Sequence, residues 1–185
     1  EIAADLDQFS FEDHGANYEI VIRNPHNYDR DNFAKEIKHI VSELAEMMGG
    51  VPYDRYVFLF TGQNTRGGGL EHLNSTTISF KRYDDTSSED YRRLRFLIAH
   101  EFFHLWNIKR IRPEIYGPFD YSKPQHSRNL YVSEGMTDYF AYLAVGRQGL
   151  WTKDIFYEEL AKVIDKHQSA PGHLITTVED TSWNN

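Results

Sequence analysis

His100-Glu101-Phe102-Phe103-His104 constrains the fold of this chain more than any other stretch. Residues four apart on a helix project from one face, so the two imidazoles can converge on a single zinc ion. Glu101, beside the first histidine, is then placed to take a proton from a zinc-bound water. The flanking residues support such a helix. Thr86, Ser87 and Ser88 are candidate N-caps, Glu89 and Asp90 place negative charge in the first turn, and Glu89 stands three after Thr86 as in a capping box. Leu94, Leu97, Ile98, Phe102 and Leu105 recur at three- and four-residue spacing while Arg92, Arg93 and Arg95 take other faces. Pro113 lies beyond the point where the helix must end.

A zinc site of this kind needs a third protein ligand and leaves its fourth position to water. Glu134 is the next acidic residue in a helical setting, with enough chain after His104 for one helix to end and another to return. Ser133 reads as the N-cap of that helix, which continues through Tyr139, Phe140, Leu143 and Val145 to Gly146 or Gly149. Asp138 falls one turn after Glu134 on the same face, where a carboxylate can accept the second ring N–H of a ligating histidine. Alone, Glu134 reads as an ordinary first-turn glutamate. Following the histidine helix and paired with Asp138, it reads better as a ligand.

The pattern His100-Glu101-x-x-His104 with Glu134-x-x-x-Asp138 resembles the gluzincins, the thermolysin-like zinc peptidases. The string from Ala99 through His104-Leu105-Trp106-Asn107-Ile108-Lys109-Arg110-Ile111-Arg112 to Pro113, with Gly117-Pro118-Phe119-Asp120-Tyr121 and Ser133-Glu134-Gly135, is similar to the glycyl aminopeptidase family of bacterial metallopeptidases. The resemblance runs from Gly62 to Trp151. It implies one Zn2+ per chain held by His100, His104 and Glu134, with Glu101 as general base and a thermolysin-like catalytic domain. It also implies flanking β-rich and PDZ domains that do not fit within 185 residues. Residues 1–185 then read as the catalytic domain, and residues 1–25 as compatible with the end of a preceding β-rich domain.

Arg66-Gly67-Gly68-Gly69-Leu70-Glu71-His72 precedes an alternating stretch, residues 75–81, that reads as a strand. Glycines such as Gly68 and Gly69 let a backbone approach a ligand closely, and an exposed strand edge can pair with an extended peptide. In aminopeptidases of related fold, a Gly-rich segment ending in a glutamate binds the substrate's free α-amine, and Glu71 is similarly placed. The plainer reading is a hairpin loop with a solvated glutamate. A donor to the developing oxyanion is also expected in such enzymes, with Tyr121, Tyr131 and Tyr142 in suitable stretches. Arg110 and Arg112, in the loop after the zinc helix, read equally as braces of that loop through ion pairs and as contacts to substrate.

The remaining sequence gives an α+β order of strand, helix, small mixed sheet, then helices. Residues 17–23 alternate as a strand. Asp29 or Asp31 caps a helix with Phe33, Ile37, Ile40, Val41, Leu44 and Met47 inward, closed by Gly49-Gly50. A continuous apolar strand follows at residues 56–60. A last helix runs from Thr152 to His167 with Phe156, Leu160, Val163 and Ile164 inward. The net charge of −8 without a long basic run argues against nucleic acid as partner. The absence of cysteine removes disulfides, thiolate metal sites and a cysteine nucleophile, and leaves the compartment open. No apolar run is long enough to span a bilayer. Three functions fit: a zinc aminopeptidase taking small N-terminal residues (Gly or Ala) from peptides with a free N-terminus, a zinc endopeptidase of the same fold, and a peptide-binding domain that keeps the metal.

Overall fold

The computed structural model describes residues 6–25, 28–83, 85–120 and 122–183. Two strands, β1 (Leu6–Asp13) and β2 (Ala16–Arg23), lead into helix α1 (Arg30–Met48). Three more follow: β3 (Arg55–Gln63), β4 (Gly69–Glu71) and β5 (Ser75–Lys81). Helices α2 (Glu89–Phe103), α3 (Leu130–Arg147), α4 (Lys153–Ser169) and α5 (Val178–Trp183) complete the order, with short 3-10 turns at Glu114–Tyr116 and Pro171–Leu174. The fold is α+β, built on one mixed sheet of order β1-β2-β3-β5-β4. β2, β3 and β5 run parallel, while β1 and β4 are antiparallel edges. Residues 6–23 thus hydrogen-bond into the same sheet as β3.

Strand alternation sets which face is buried. Tyr18, Ile20 and Ile22 of β2 lie in register with Tyr56, Phe58 and Phe60 of β3, and Thr76 and Ile78 of β5 continue two of these rows. All eight side chains are buried. The continuous apolar run at 56–60 is a strand as expected, but Leu59 is 39% exposed, so β3 buries only one face. α1 lies on that covered face as its pattern requires. Asp29 Oδ1 accepts from Asn32 N at 3.0 Å, and Gly49 closes the helix at φ 77°, where a side chain would be strained. Phe33, Ile37, Ile40, Val41 and Leu44 are buried.

α2 crosses the same face and starts one cap later than the capping-box pattern suggests: Ser88 Oγ, not Thr86, accepts from Tyr91 N at 3.2 Å. α3 starts earlier than expected, with Asn129 at its N-cap. Ser133 sits in the first turn instead of capping it, because its hydroxyl donates back to Asn129 O at 3.3 Å. α4 has the expected cap, with Thr152 Oγ1 accepting from Ile155 N at 3.3 Å, but not the expected burial. Phe156 packs on the core, whereas Leu160, Val163 and Ile164 are 38%, 48% and 47% exposed. Only the start of α4 meets α3, and the rest extends past it. Among the described residues no helix is long and apolar enough to cross a membrane.

One polar network joins α1 to α2. Glu36 accepts from Tyr91 Oη at 2.7 Å, from Arg95 at 2.6 and 2.9 Å, and from Asn32 Nδ2 at 3.1 Å. Both ion-pair partners are largely buried, with side chains 15% and 10% exposed. Removing one partner leaves the other uncompensated, so Glu36→Ala should cost about 3 kcal/mol in denaturant unfolding. A loss below roughly 1 kcal/mol would show that Arg95 finds water or another partner instead.

Candidate metal centre

The two aromatic residues inside the histidine pattern orient it. Phe102 is fully buried over the sheet, with ring centroids 5.1 Å from Tyr56 and 5.6 Å from Phe58. Phe103 turns to the other side and stacks on Phe140 of α3 at 4.4 Å. With those two directions taken, His100 and His104 face the seam between α2 and the start of α3. Their Nε2 atoms stand 3.0 Å apart. Glu134 Oε2 lies 3.3 Å from His100 Nε2 and 3.7 Å from His104 Nε2.

This triangle matches the ligand edge of a tetrahedral metal site. Bonds of about 2.0–2.1 Å give an edge of about 3.3 Å, and the three separations scatter around it. The outer ring nitrogens are engaged: His100 Nδ1 meets Asp138 Oδ1 at 2.8 Å and His104 Nδ1 meets the Asn107 carbonyl at 3.0 Å. Each Nδ1 therefore serves as donor, which leaves both Nε2 lone pairs aimed at the centre, the tautomer a metal needs. In the metal-free chain, an Nε2 that carries a proton donates to Glu134 instead. Hydrogen bonds from His100 and His104 hold the Glu134 carboxyl down at about 2 despite burial. Burial disfavours the His100 imidazolium, but Asp138 and Glu134 outweigh it and bring the ring up to about 9.

Glu101 lies beside this triangle, 5% exposed. Burial pushes its carboxyl up to about 7; the His100 and His104 charges oppose that, and those of Glu71 and Glu134 add to it. Its Oε2 is buried without a hydrogen-bond partner among the described residues, an acceptor aimed at something the protein does not supply. β4 passes directly over it. A Cβ on Gly69 would overlap the Glu101 carboxyl, so any side chain there would push that carboxyl from its place. A Cβ on Gly67 would overlap Ser79, whereas one on Gly68 would meet open space. Gly68 contributes only its carbonyl, which accepts from Ser79 N at 2.8 Å. Glu71, two residues on, places a carboxylate oxygen within 4.8 Å of ligand atoms of both Glu101 and His104. It also meets Lys109 Nζ at 3.2 Å.

Residues with no signal in the helical pattern complete the centre. Asn107 Nδ2 donates to Val132 O at 3.0 Å, Ser133 O at 3.1 Å and Thr137 Oγ1 at 3.0 Å. One residue therefore fixes His104 through its carbonyl and the turn carrying Glu134 through its amide. The next residue, Ile108, is buried with φ at 124°, a conformation that a β-branched residue adopts only under tertiary constraint. Arg110 ties the β4–β5 turn to the end of α2 through Leu73 O, Leu105 O and Asn74 Oδ1, each at 2.9 Å. Arg112 reaches Lys109 O at 2.9 Å. Both brace the loop, through neutral oxygens in place of the expected ion pairs, because backbone carbonyls and the Asn74 amide lie within reach. Of the three tyrosines expected near the site, Tyr142 packs between Phe96 and Trp151, and Tyr121 lies outside the described residues. Tyr131 borders a groove of about 800 Å3 that runs from Glu134 to the segment around α5.

Two outcomes follow from this geometry. Asn107→Ala should weaken metal binding roughly ten- to a hundredfold, measured by competition with a chromogenic chelator; unchanged affinity would dismiss the double tether. In chelator, the raised His100 pKa means the folded chain holds a proton that the unfolded chain releases near 6.5. That stabilisation is full below pH 6.5 and lost as pH rises through about 9. Glu101, raised from 4.5 to about 7, acts in the same sense at lower pH. The thermal midpoint of metal-free protein should therefore fall from pH 5 to 9, and added metal, which binds neutral imidazole, should reverse the trend.

The comparisons bear on what such a site belongs to. The sequence profile described as M61 glycyl aminopeptidase matches residues 93–185, the half of the chain that holds His100, Glu101, His104 and Glu134. The crystal structure of an aminopeptidase N family protein from Idiomarina loihiensis is similar with a TM-score of 0.90 at 25% identity. That match covers 97% of this chain and 32% of the other, so the chain spans about a third of that relative's length. No curated protein sequence matches significantly. The profile takes in the last turns of α2 and all of α3, the two helices whose side chains converge here, and on that ground the chain belongs to the M61 glycyl aminopeptidase family of peptidases.

Proposed function

We propose that the chain is the catalytic domain of a zinc-dependent aminopeptidase that removes small N-terminal residues, Gly or Ala, from peptides. The observation that carries this is the edge strand Gly69–Glu71 lying across the Glu101 carboxylate, whose buried Oε2 has no partner among the described residues, beside the His100, His104 and Glu134 triangle. His100, His104 and Glu134 would hold the metal, with Asp138 and the Asn107 carbonyl fixing the imidazoles. Bound zinc would polarise the scissile carbonyl and acidify a water toward a pKa of about 7. Glu101 Oε2 would accept a proton from the attacking water and pass it to the leaving amine. β4 is a sheet edge, so an extended substrate can add alongside it through backbone hydrogen bonds. Gly69 keeps that backbone low enough for the peptide to reach Glu101. The Glu71 carboxylate then attracts the substrate's α-ammonium. The preference for Gly or Ala rests on the family to which the chain belongs.

Two observations favour the endopeptidase reading. Glu71 already has a cationic neighbour in Lys109, and the groove beyond Glu134 offers room for more peptide than one residue. The discriminating experiment is cleavage of an Ala-leading peptide with free or acetylated N-terminus by zinc-loaded protein. The aminopeptidase reading expects cleavage of the free form alone, while equal cleavage of both would move the assignment to endopeptidase. Glu101→Gln should retain zinc and lose roughly a hundred- to ten-thousandfold in turnover. Full activity in that variant would remove Glu101 from the chemistry.

A further inference from the structure

Lys109 Nζ lies 3.2 Å from Glu71 Oε1, and both side chains are largely covered, 16% and 22% exposed. The same ammonium stands 5.1 Å from the centre of the Phe119 ring. The pair is not a surface accident of two flexible side chains. Lys109 leaves the backbone in the loop that closes the histidine helix, with its N–H bonded to His104 O at 3.1 Å and its carbonyl held by Arg112 at 2.9 Å. Glu71 comes from the strand lying over Glu101, and its carboxylate is within 4.8 Å of Glu101 and His104 ligand atoms. A primary ammonium on a flexible stem thus sits against the carboxylate proposed to receive a substrate's primary ammonium.

We infer that Lys109 is an internal occupant of the amine subsite, a specificity-determining residue whose ammonium must give way to, or share Glu71 with, the substrate's N-terminal ammonium. This rests on the reading of Glu71 as the amine anchor. In the free protein Lys109 keeps Glu71 charge-balanced in a partly desolvated position, where an isolated carboxylate would be costly. In the complex its release or repulsion opposes amine binding. Affinity for the N-terminus is then set by a difference between two similar ion pairs. A ligand without an ammonium offers Glu71 nothing in exchange and leaves Lys109 in place.

The test is the dissociation constant of glycinamide, which carries the ammonium and no carboxylate, for the zinc-loaded chain by NMR titration, with N-acetylglycinamide as control. Lys109→Met keeps the aliphatic stem beside Phe119 and removes the competitor; it should tighten glycinamide roughly three- to tenfold and leave N-acetylglycinamide unchanged. Lys109→Arg, which grips a carboxylate with a fork, should weaken glycinamide. Zinc content measured on each variant excludes loss of the metal as the cause. Weaker or unchanged glycinamide binding by Lys109→Met would overturn the inference and make Lys109 a support for Glu71. Glu71→Gln separates the two claims: if it leaves glycinamide binding unchanged, or wild type does not bind glycinamide, the amine-anchor reading itself fails. If it weakens binding while Lys109→Met has no effect, only the role of Lys109 falls.

Discussion

The site depends on how one helix turn is wedged. Phe102 and Phe103 are adjacent in sequence and about 100° apart around the helix, so they anchor α2 to two different bodies: the aromatic floor of β2 and β3 on one side, and Phe140 of α3 on the other. Losing a fully buried phenylalanine of this kind typically costs about 3–5 kcal/mol. That is far more than any one hydrogen bond at the site contributes. Imidazole geometry at tenths of an ångström is therefore inherited from packing, and the polar contacts of Asp138 and Asn107 refine it.

Much of this was legible in the sequence because helices project side chains at a fixed period. His100, His104 and the pair Glu134 and Asp138 follow from four-residue spacing. The stripe of α1 and the glycines that end it follow from amphipathic pattern and left-handed backbone. What depends on tertiary geometry was not legible. Nothing local tells that Gly69 and not Gly68 touches Glu101, since the two are neighbours in one run of three. Asn107 reads as a residue just past a helix end, yet its amide reaches another helix. Ser133 looks like a cap until its hydroxyl is seen to turn back to Asn129 O. The inward stripe expected of α4 was a correct reading of periodicity and an incorrect reading of burial, because periodicity reports that a face is apolar and says nothing of what lies against it.

Charge is arranged as deliberately as shape. Glu71, Glu101 and Glu134 would repel one another in so small a space, and two imidazoles and the Lys109 ammonium are interleaved among them. Each carboxylate meets a different balance: Glu134 is held ionised by the histidines, Glu101 is kept near neutrality by burial, and Glu71 faces a cation. The strained backbone at Ile108 lies in the loop that delivers both Asn107 and Lys109, and strain of this kind costs about 1–3 kcal/mol. Two of the contacts that tune the centre therefore hang on one constrained turn.

The uncovered face of α4 is apolar surface open to other molecules. Leu160, Val163 and Ile164, with Leu174 and Ile175 each 82% exposed beyond the helix, present apolar surface of the sort that draws molecules together at high concentration. His167 and His173 of the same region line the groove that borders Glu134. Molecules that stick through this surface would crowd one another's groove. Anything measured at that groove would then vary with protein concentration and detergent, a colloidal property of the preparation and not of the site.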